Sequence, residues 1–392
     1  IMLQDSAHIQ TSEAEYLKKK KGINAQPLYT ADDANQAMTQ FRSVGYDRRI
    51  AIDRDIFFTF HDAGHILGSA GELWEIYDRD TEQEIRLWFT GDLGRKHLPI
   101  LRPPEQLKDL DVLISESTYW GRFHDELENV EKHLVDVINQ AINRNGKIYI
   151  PAFAVERTQE ILFVMKKLMH EGKIMKIPIY VDSPLAMNAT GIFKIHADLF
   201  DDELSTLRDE GIFPFLEGEG MSFSRSTDES KSLNNIQYPA IIISASGMCE
   251  FGRIVHHIKN NIWDPKNLLL VIGFMAENTL GRKLVDGHRQ VRIHGEEIEV
   301  RAQVEIFNAF SGHADHAWLL SFARGCGDPR NLFFVHGEPE AQDKLISEME
   351  TLDNLRNTKL ANPTPGEIWD LEEKKKWKKS AKRNATCEAV SY

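Results

Sequence analysis

Residues 57–65 read Phe57-Phe-Thr-Phe-His-Asp-Ala-Gly-His65, an apolar run that turns polar at its end. The aromatic half predicts a β-strand. Three further runs of apolar and alternating residues begin at Glu72, Ile85 and Val112. Residues 57–115 are therefore predicted to be rich in strands, with few helices between them.

Polar residues that can bind a metal follow four predicted strands. In chain order they are His65, Asp92, Glu116 and His336. Taken singly, each has an ordinary explanation as a core histidine, a turn residue, a helix cap or a strand end. Functional groups collect beyond the carboxyl ends of strands in α/β proteins, and imidazole and carboxylate groups suit Zn²⁺. Together the four residues predict a metal site, in which a carboxylate can bridge two ions.

From about residue 125 onward, strands alternate with helices. The predicted helices cover residues 128–145, 156–171 and 254–260, and the predicted strands cover residues 147–151, 178–181, 240–243 and 268–272. This alternation is typical of a parallel sheet covered on both faces. Residues 218–235 are polar and rich in serine and glycine, which predicts a loop.

A second polar cluster reads His313-Ala-Asp-His316. Two histidines three residues apart indicate part of a metal motif. The start of a helix explains the same residues equally well, with Ser311 as the cap and Asp315 in the first turn. Spacing alone leaves both interpretations open.

Two strand-to-helix turns are candidates for binding phosphate. One reads Ser244-Ala-Ser-Gly-Met and precedes the predicted helix at Arg253, and the other runs from Gly273 to Arg282. Such turns offer backbone N–H groups and the positive end of a helix dipole. Glycine-rich turns are common, so this signal is weak.

Composition excludes several classes of protein. The 392 residues include 47 basic and 60 acidic side chains, for a net charge of -13. This charge argues against a protein that coats nucleic acid without regard to sequence. The longest apolar runs are too short to cross a bilayer, so no membrane partner is expected. Three cysteines are too few for a disulfide framework, which favours the cytoplasm. Residues 374–383 carry a basic run, either a solvated end or a weak RNA contact.

Five short motifs occur in order along the chain: Ala63-Gly-His-Ile-Leu-Gly-Ser, Phe89-Thr-Gly-Asp-Leu-Gly, Glu116-Ser-Thr-Tyr, Phe310-Ser-Gly-His-Ala-Asp and Val335-His-Gly-Glu. Together they resemble the metallo-β-lactamase-fold nucleases that carry a β-CASP domain. These are relatives of RNase J and of the nuclease subunit of the eukaryotic pre-mRNA cleavage and polyadenylation complex. The resemblance runs from about residue 1 to 345.

The resemblance implies an α/β fold: a metallo-β-lactamase αββα sandwich with an inserted β-CASP α/β domain of mostly parallel sheet. The implied boundaries are residues 1–121 for the first part of the core, 122–307 for the β-CASP domain, and 308–392 for the return to the core and the basic tail. The implied activity is a zinc-dependent ribonuclease that hydrolyses RNA phosphodiesters by a metal-bound hydroxide. A homodimer is implied as well.

The resemblance also implies roles for single residues. His65, Asp92 and His336 correspond to zinc ligands, with Asp92 bridging two zinc ions. His313 corresponds to the residue that donates a proton to the leaving oxygen, and Glu116 is its partner. Asp315 and His316 are then not expected to be metal ligands. Single-stranded RNA would run between the core and the inserted domain, and its phosphates would meet Ser246, Gly247, Arg253, Arg282 and Gly312. For Arg282, a structural role in which it pairs with a nearby acid is about as well supported as contact with a phosphate.

One family feature is absent from the sequence: the motif His-x-His-x-Asp-His, which supplies most ligands of both metals. With the non-Met start at Ile1, this absence leads us to expect a chain truncated at its front. Such a chain would hold less than full zinc and show little activity. The alternatives are a non-catalytic RNA-binding or scaffold paralogue and a DNA-directed nuclease of the same fold.

Overall fold

The computed structural model describes residues 1–124, 127–211, 213–218, 220–273, 275–307, 311–369 and 371. The basic run at 374–383 lies outside these residues. The chain divides into two compact units: residues 45–124 with 312–392, called here the core unit, and residues 1–44 with 125–311, called the inserted unit. Residues 1–44 thus group with the middle of the chain, whereas the expected boundaries placed them in the core.

The described strands, in chain order, are β1 (Ile50–Asp53), β2 (Ile56–Asp62), β3 (Ala70–Asp78), β4 (Gln83–Phe89), β5 (Val112–Glu116), β6 (Ile148–Pro151), β7 (Ile179–Val181), β8 (Met221–Phe223), β9 (Ile241–Ser244), β10 (Leu268–Ile272), β11 (Gln290–Ile293), β12 (Glu296–Glu299), β13 (Gln303–Phe307), β14 (Asn331–Val335) and β15 (Lys359–Ala361). The described helices are α1 (Met2–Lys21), α2 (Ala31–Met38), α3 (Leu127–Asn143), α4 (Arg157–His170), α5 (Pro184–Ile195), α6 (Asp202–Asp209), α7 (Thr227–Leu233), α8 (Arg253–Asn261), α9 (Leu280–Val285), α10 (His316–Gly325) and α11 (Pro339–Met349). Within this described part of the chain, no helix has the length and apolar content needed to cross a membrane.

The core unit is built on one mixed sheet with the strand order β1-β2-β3-β4-β5-β14-β15. Strands β1 to β4 pair antiparallel, and β4, β5, β14 and β15 pair parallel. Strands β5 and β14 are buried along almost their whole length, and residues 112–114 and 332–335 within them are apolar, as expected of strands inside a sheet. Their register sets Val335 opposite Glu116, so the loops after both strands leave the sheet side by side.

The hydrophobic core of this unit joins the sheet to its helices. Trp88, Leu113 and Phe334 of the sheet pack with Phe322 of α10 and Leu345 of α11. Burial of these side chains fixes both helices relative to the sheet and thereby the loop that precedes α10. The sequence pattern predicted the central strands of this sheet, and the structure contains them.

The inserted unit is built on a six-stranded parallel sheet with the order β13-β10-β6-β9-β7-β8. The strand Leu268–Ile272 is buried at every position, as an inner strand of a sheet covered on both faces should be. Helix α8 packs Ile254 and Ile258 into the same core. The expected α/β fold class with a mostly parallel second sheet is confirmed.

The prediction of a loop at residues 218–235 is wrong. This segment contains strand β8 and helix α7. The helix begins with a capping box, in which Ser226 accepts from the backbone of Glu229 and the Glu229 carboxylate accepts from the backbone of Ser226. A serine followed three residues later by glutamate is a local start signal that outweighs the polar composition.

Candidate metal centre

Two loops of the core unit are held together by backbone contact between glycines. The N–H of Gly94 donates to the carbonyl of Ala63 at 2.8 Å. A Cβ atom on Gly94 would lie 1.7 Å from the carbonyl oxygen of Gly64, so only glycine fits there. This approach brings His65, after strand β2, next to Asp92, after strand β4.

The carboxylate of Asp92 faces two histidines. Its Oδ2 lies 4.0 Å from Nε2 of His65, and its Oδ1 lies 3.0 Å from Nδ1 of His336. The side chain is 42% exposed, so its outer face is open to solvent. One oxygen is thus directed to each histidine.

The loops that follow strands β5 and β14 are also joined. The hydroxyl of Thr118 donates to the carbonyl of His336 at 2.9 Å and lies 3.0 Å from its Nδ1. The hydroxyl of Ser117 donates to the carbonyl of Val335 at 2.8 Å. His336 itself has a φ of 52°, an uncommon conformation for a residue with a side chain. The contacts to Ser117 and Thr118 hold this strained residue at the edge of the site.

Glu116 is a buried carboxylate with a full set of hydrogen-bond donors. It is 1% exposed and accepts the N–H of Leu93 at 2.6 Å and the N–H of Thr118 at 3.2 Å. Nδ1 of His313 lies 3.1 Å from both of its oxygens. Burial opposes ionisation, but the hydrogen bonds from His313, Thr118 and Leu93 outweigh it and hold the pKa of Glu116 below its ordinary value.

His313 is oriented by this carboxylate. An anionic acceptor at Nδ1 fixes the proton on that nitrogen and leaves Nε2 as the working atom of the ring. The ring centroid of His313 lies 4.4 Å from that of His65 and 6.1 Å from that of His336. The predicted residues of the core unit, which are separated by up to 271 positions in the sequence numbering, are therefore brought into one cluster.

The donor atoms of this cluster fit zinc. His65, Asp92 and His313 each offer one atom within 4.8 Å of the others, and so do Asp92, Glu116 and His336. Imidazole nitrogen and carboxylate oxygen are ordinary zinc ligands, and three protein ligands with an open position are typical of a catalytic site. Asp92 belongs to both groups. The geometry accommodates His313 either as a ligand or as a proton donor, because a carboxylate at Nδ1 supports both roles.

The remaining polar residues of the second cluster lie elsewhere. Asp315 is the N-cap of helix α10 and accepts the N–H of Trp318 at 2.9 Å, so the expectation of Ser311 as the cap is wrong. Nε2 of His316 lies 3.3 Å from Glu348, and its ring stacks on Trp120. Both residues have structural contacts of their own.

The candidate phosphate contacts fall in both units. Gly312 directly precedes His313 in the core unit, while Ser246 and Gly247 follow strand β9 in the inserted unit. The N–H of Ser246 donates to the carbonyl of Phe251 at 3.2 Å. Gly247 packs against the half-exposed ring of Phe153, which a Cβ at this position would meet at 3.0 Å. The turn is therefore closed by a backbone hydrogen bond and lined by an aromatic side chain.

The two candidate arginines are both paired with acids. Arg253 donates to Oδ1 of Asp182 at 2.7 Å and to the carbonyl of Ser224 at 3.0 Å. Arg282 pairs with Asp286, one helical turn away, through two contacts of 3.0 and 2.9 Å. Arg253 is tied to a buried carboxylate, whereas the pair of Arg282 is exposed and can exchange partners at little cost.

The partner of Arg253 is the centre of a buried polar network in the inserted unit. Asp182 is 0% exposed, and its Oδ2 also accepts from Ser230 Oγ at 2.6 Å and lies 2.7 Å from Nε2 of His257. Burial opposes its ionisation, but the hydrogen bonds from His257, Ser230 and Arg253 prevail and lower its pKa below the ordinary value. The network supports a structural role for Arg253.

Sequence reasoning missed two side chains that contact the predicted residues. Thr118 lies within a quoted motif but had no assigned role, although it touches both Glu116 and His336. His124 was not considered, yet its Nε2 lies 3.0 Å from the carbonyl oxygen of His313. The contacts of Thr118 with His336 and of His124 with His313 have no signal in the sequence, because they join positions 218 and 189 residues apart.

Family models and known proteins match large parts of this chain. The family model described as the Beta-Casp domain matches residues 158–284, and the one described as the Zn-dependent metallo-hydrolase RNA specificity domain matches residues 297–357. A ribonuclease of Thermus thermophilus is 32% identical over 325 residues, which are 82% of this chain and 72% of that protein. An RNase J-like protein of Methanocaldococcus jannaschii is 30% identical, over 84% of this chain and 75% of that protein. The transcription termination factor FttA of Pyrococcus horikoshii is 33% identical, over 84% of this chain and 51% of that protein.

Proposed function

Since this chain belongs to the β-CASP family of zinc-dependent ribonucleases with the metallo-β-lactamase fold, we propose that it hydrolyses phosphodiester bonds of single-stranded RNA in RNA processing or decay. The observation that carries the proposal is the pairing of a metal-binding cluster with an acid–base pair. Asp92 lies between His65 and His336, and His313 is held by the buried Glu116 beside them.

His65, Asp92 and His336 are the residues of this chain that hold zinc in the proposal. The position of Asp92 in both donor groups supports a carboxylate shared by two ions. Zinc, when bound, supplies a water of lowered pKa as the nucleophile and a positive charge beside the phosphate.

His313 donates the proton to the leaving oxygen. Glu116 accepts from Nδ1 of His313, which directs Nε2 away from the carboxylate. A buried acid with lowered pKa stays ionised at neutral pH and maintains this orientation. The backbone at Gly312, next to His313, is placed in the proposal to contact a phosphate.

The remaining phosphate contacts in the proposal come from the inserted unit. The Ser246–Gly247 turn and Arg282 are retained, because the turn is closed by a backbone hydrogen bond and the guanidinium is exposed. Arg253 is a weaker candidate, since its guanidinium is engaged by Asp182. We place the protein in the cytoplasm, consistent with the free, buried thiols of Cys249 and Cys326. A homodimer is part of the proposal and is tested by light scattering.

The test uses the complete gene product, loaded with zinc, on end-labelled single-stranded RNA and on DNA of the same sequence. We expect cleavage of RNA that a chelator abolishes and that zinc restores. Cleavage of DNA in preference to RNA would favour a DNA-directed nuclease. Tight RNA binding without cleavage, at full zinc content, would favour a scaffold and overturn the proposal.

A further inference from the structure

We propose that His124 is a positioning residue for His313, acting through the backbone of the loop that carries it; this inference rests on the proposed function of His313 as the proton donor. His124 lies in the loop after strand β5, in the same unit as His313. Its Nε2 lies 3.0 Å from the carbonyl oxygen of His313. Because a carbonyl only accepts, the proton of the His124 ring must be on Nε2.

The second contact of His124 fixes its own position. Its backbone N–H donates to Oδ2 of Asp315 at 3.2 Å, while Oδ1 of Asp315 caps helix α10 through Trp318. His124 therefore holds the segment 313–315 at two points, once through its ring and once through its backbone. A hydrogen bond to the carbonyl of His313 restrains rotation of the peptide plane that follows this residue, and such rotation would disturb the orientation of the His313 side chain toward Glu116.

A ladder of aromatic rings links the two imidazoles. The rings of His124 and Tyr119 stack with centroids 5.2 Å apart and planes 18° apart. Tyr119 and His313 follow at 6.4 Å and 12°. Tyr119 is buried, so its ring serves as a fixed spacer between the two histidines.

The opposite side of the same segment is held by the loop of Asp92. The N–H of Ala314 donates to the carbonyl of Leu93 at 2.8 Å, and His313 pairs with Gly94 as in antiparallel strands. The His313 segment is thus clamped between the metal-binding loop and the loop of His124. Removal of the second clamp should loosen the imidazole without touching the residues proposed to hold zinc.

The test compares His124→Ala and His124→Gln in the complete, zinc-loaded gene product. His124→Ala should lower kcat on RNA by about tenfold to a hundredfold, part of the ~10² to 10⁴ that acid–base assistance supplies, with little change in KM. The glutamine side chain can still donate to the His313 carbonyl, so His124→Gln should recover much of the loss. Zinc content should stay at the wild-type level in both variants.

Two readouts separate positioning from a merely structural role. On bis(p-nitrophenyl) phosphate, whose leaving group needs no proton, the loss caused by His124→Ala should nearly vanish. The double variant with His313→Ala should be no slower than His313→Ala alone, because both changes act on one proton transfer. His316→Ala is the matched control: it removes a stacked histidine at the first position of helix α10 and should lower stability while losing activity equally on both substrates.

A third readout does not depend on activity. In NMR spectra with isotope-labelled histidine, the Nδ1–H signal of His313 should broaden in His124→Ala and return in His124→Gln. The inference is overturned if this signal is unchanged, if the loss is equal on both substrates, or if the two substitutions are additive. Failure of the wild-type protein to cut RNA would instead reject the proposed function, and the NMR result would still decide whether His124 orients His313.

Discussion

Nδ1 of His313 lies 3.1 Å from both carboxylate oxygens of Glu116, the buried last residue of strand β5. This contact joins positions 197 residues apart and ties the residue proposed to transfer a proton to the central sheet of the core unit. Because Glu116 also accepts two backbone N–H groups, its orientation is fixed before substrate arrives.

Replacing Glu116 by glutamine should lower turnover on RNA while leaving zinc bound. The amide keeps one acceptor but turns an NH₂ group toward a donor, either His313 or a backbone N–H, so the imidazole loses its anionic partner. We expect a smaller loss than in His313→Ala, measured as kcat with zinc determined by mass spectrometry. A loss of zinc equal to that in Asp92→Ala would mean that Glu116 is itself a ligand.

His313→Ala and His336→Ala should both reduce turnover but differ in metal content. A general acid is worth about 10² to 10⁴ in rate, and a lost ligand weakens the site directly. His336→Ala should lose zinc from one site, whereas His313→Ala should keep its zinc and its affinity for RNA. A substrate with a better leaving group should partly rescue only His313→Ala. The opposite pattern of zinc loss would return His313 to the role of a metal ligand.

Gly94→Ala should destabilise the core unit and deplete its zinc. The new Cβ would lie 1.7 Å from the carbonyl oxygen of Gly64, so the loops of His65 and Asp92 must separate. Overpacking typically costs about 1 to 3 kcal/mol, and a contact this short belongs at the upper end. Gly191→Ala in helix α5 is the control, since no atom lies within 4 Å of its Cβ. That substitution should stabilise the helix by about 0.5 to 1 kcal/mol; equal melting temperatures for the two variants would contradict the steric argument.

Asp182→Asn should make unfolding of the inserted unit less sensitive to acid. The folded pKa of Asp182 lies below its ordinary value of 3.8, so the unfolded chain binds this proton more readily. The stabilisation is therefore complete above pH 3.8 and is lost as the pH falls below it. At neutral pH the variant should be less stable by about 3 to 5 kcal/mol, because Arg253 and His257 lose a buried partner. Denaturant titrations of both proteins between neutral and acidic pH provide the measurement; parallel pH curves would argue against this network.

Arg282→Ala should weaken binding of RNA to a similar degree for every sequence. A phosphate contact carries no base information, and its loss should also reduce the dependence of affinity on salt. The complementary variant is Asp286→Ala, which frees the guanidinium of Arg282 and should therefore tighten the binding of RNA. If Arg282→Ala changes stability but not affinity, the arginine serves only its pair with Asp286.

The central elements of both sheets could be predicted from the sequence because apolar runs report burial directly. Strand β10, apolar at all five positions, is an example, and its predicted bounds match those observed. The prediction of a loop at residues 218–235 is wrong because the local helix-start signal of Ser226 and Glu229 outweighs the polar composition of the segment. Similarly, Asp315 caps helix α10 where Ser311 was expected, since either residue type can cap a helix.

The candidate site was only partly predictable, for a physical reason. His65, Asp92, Glu116 and His336 follow strands, and strand ends have a recognisable pattern. The contacts of Thr118 and His124 depend on which strands are neighbours and in what register, and this is decided by packing of the whole unit. No local pattern carries that information.

The hydrogen bond between His124 and the carbonyl of His313 also marks where the chain leaves the core unit and where it comes back. The N–H of His316 donates to the carbonyl of Arg122 at 3.0 Å beside it, so departure and return occur at adjacent points. A folded segment inserted between two such neighbouring ends, as residues 125–311 are, imposes little loop-closure entropy on its host. This point of insertion is therefore a natural place for evolution to exchange the whole middle segment, and the contact with His124 would keep His313 in place through such an exchange.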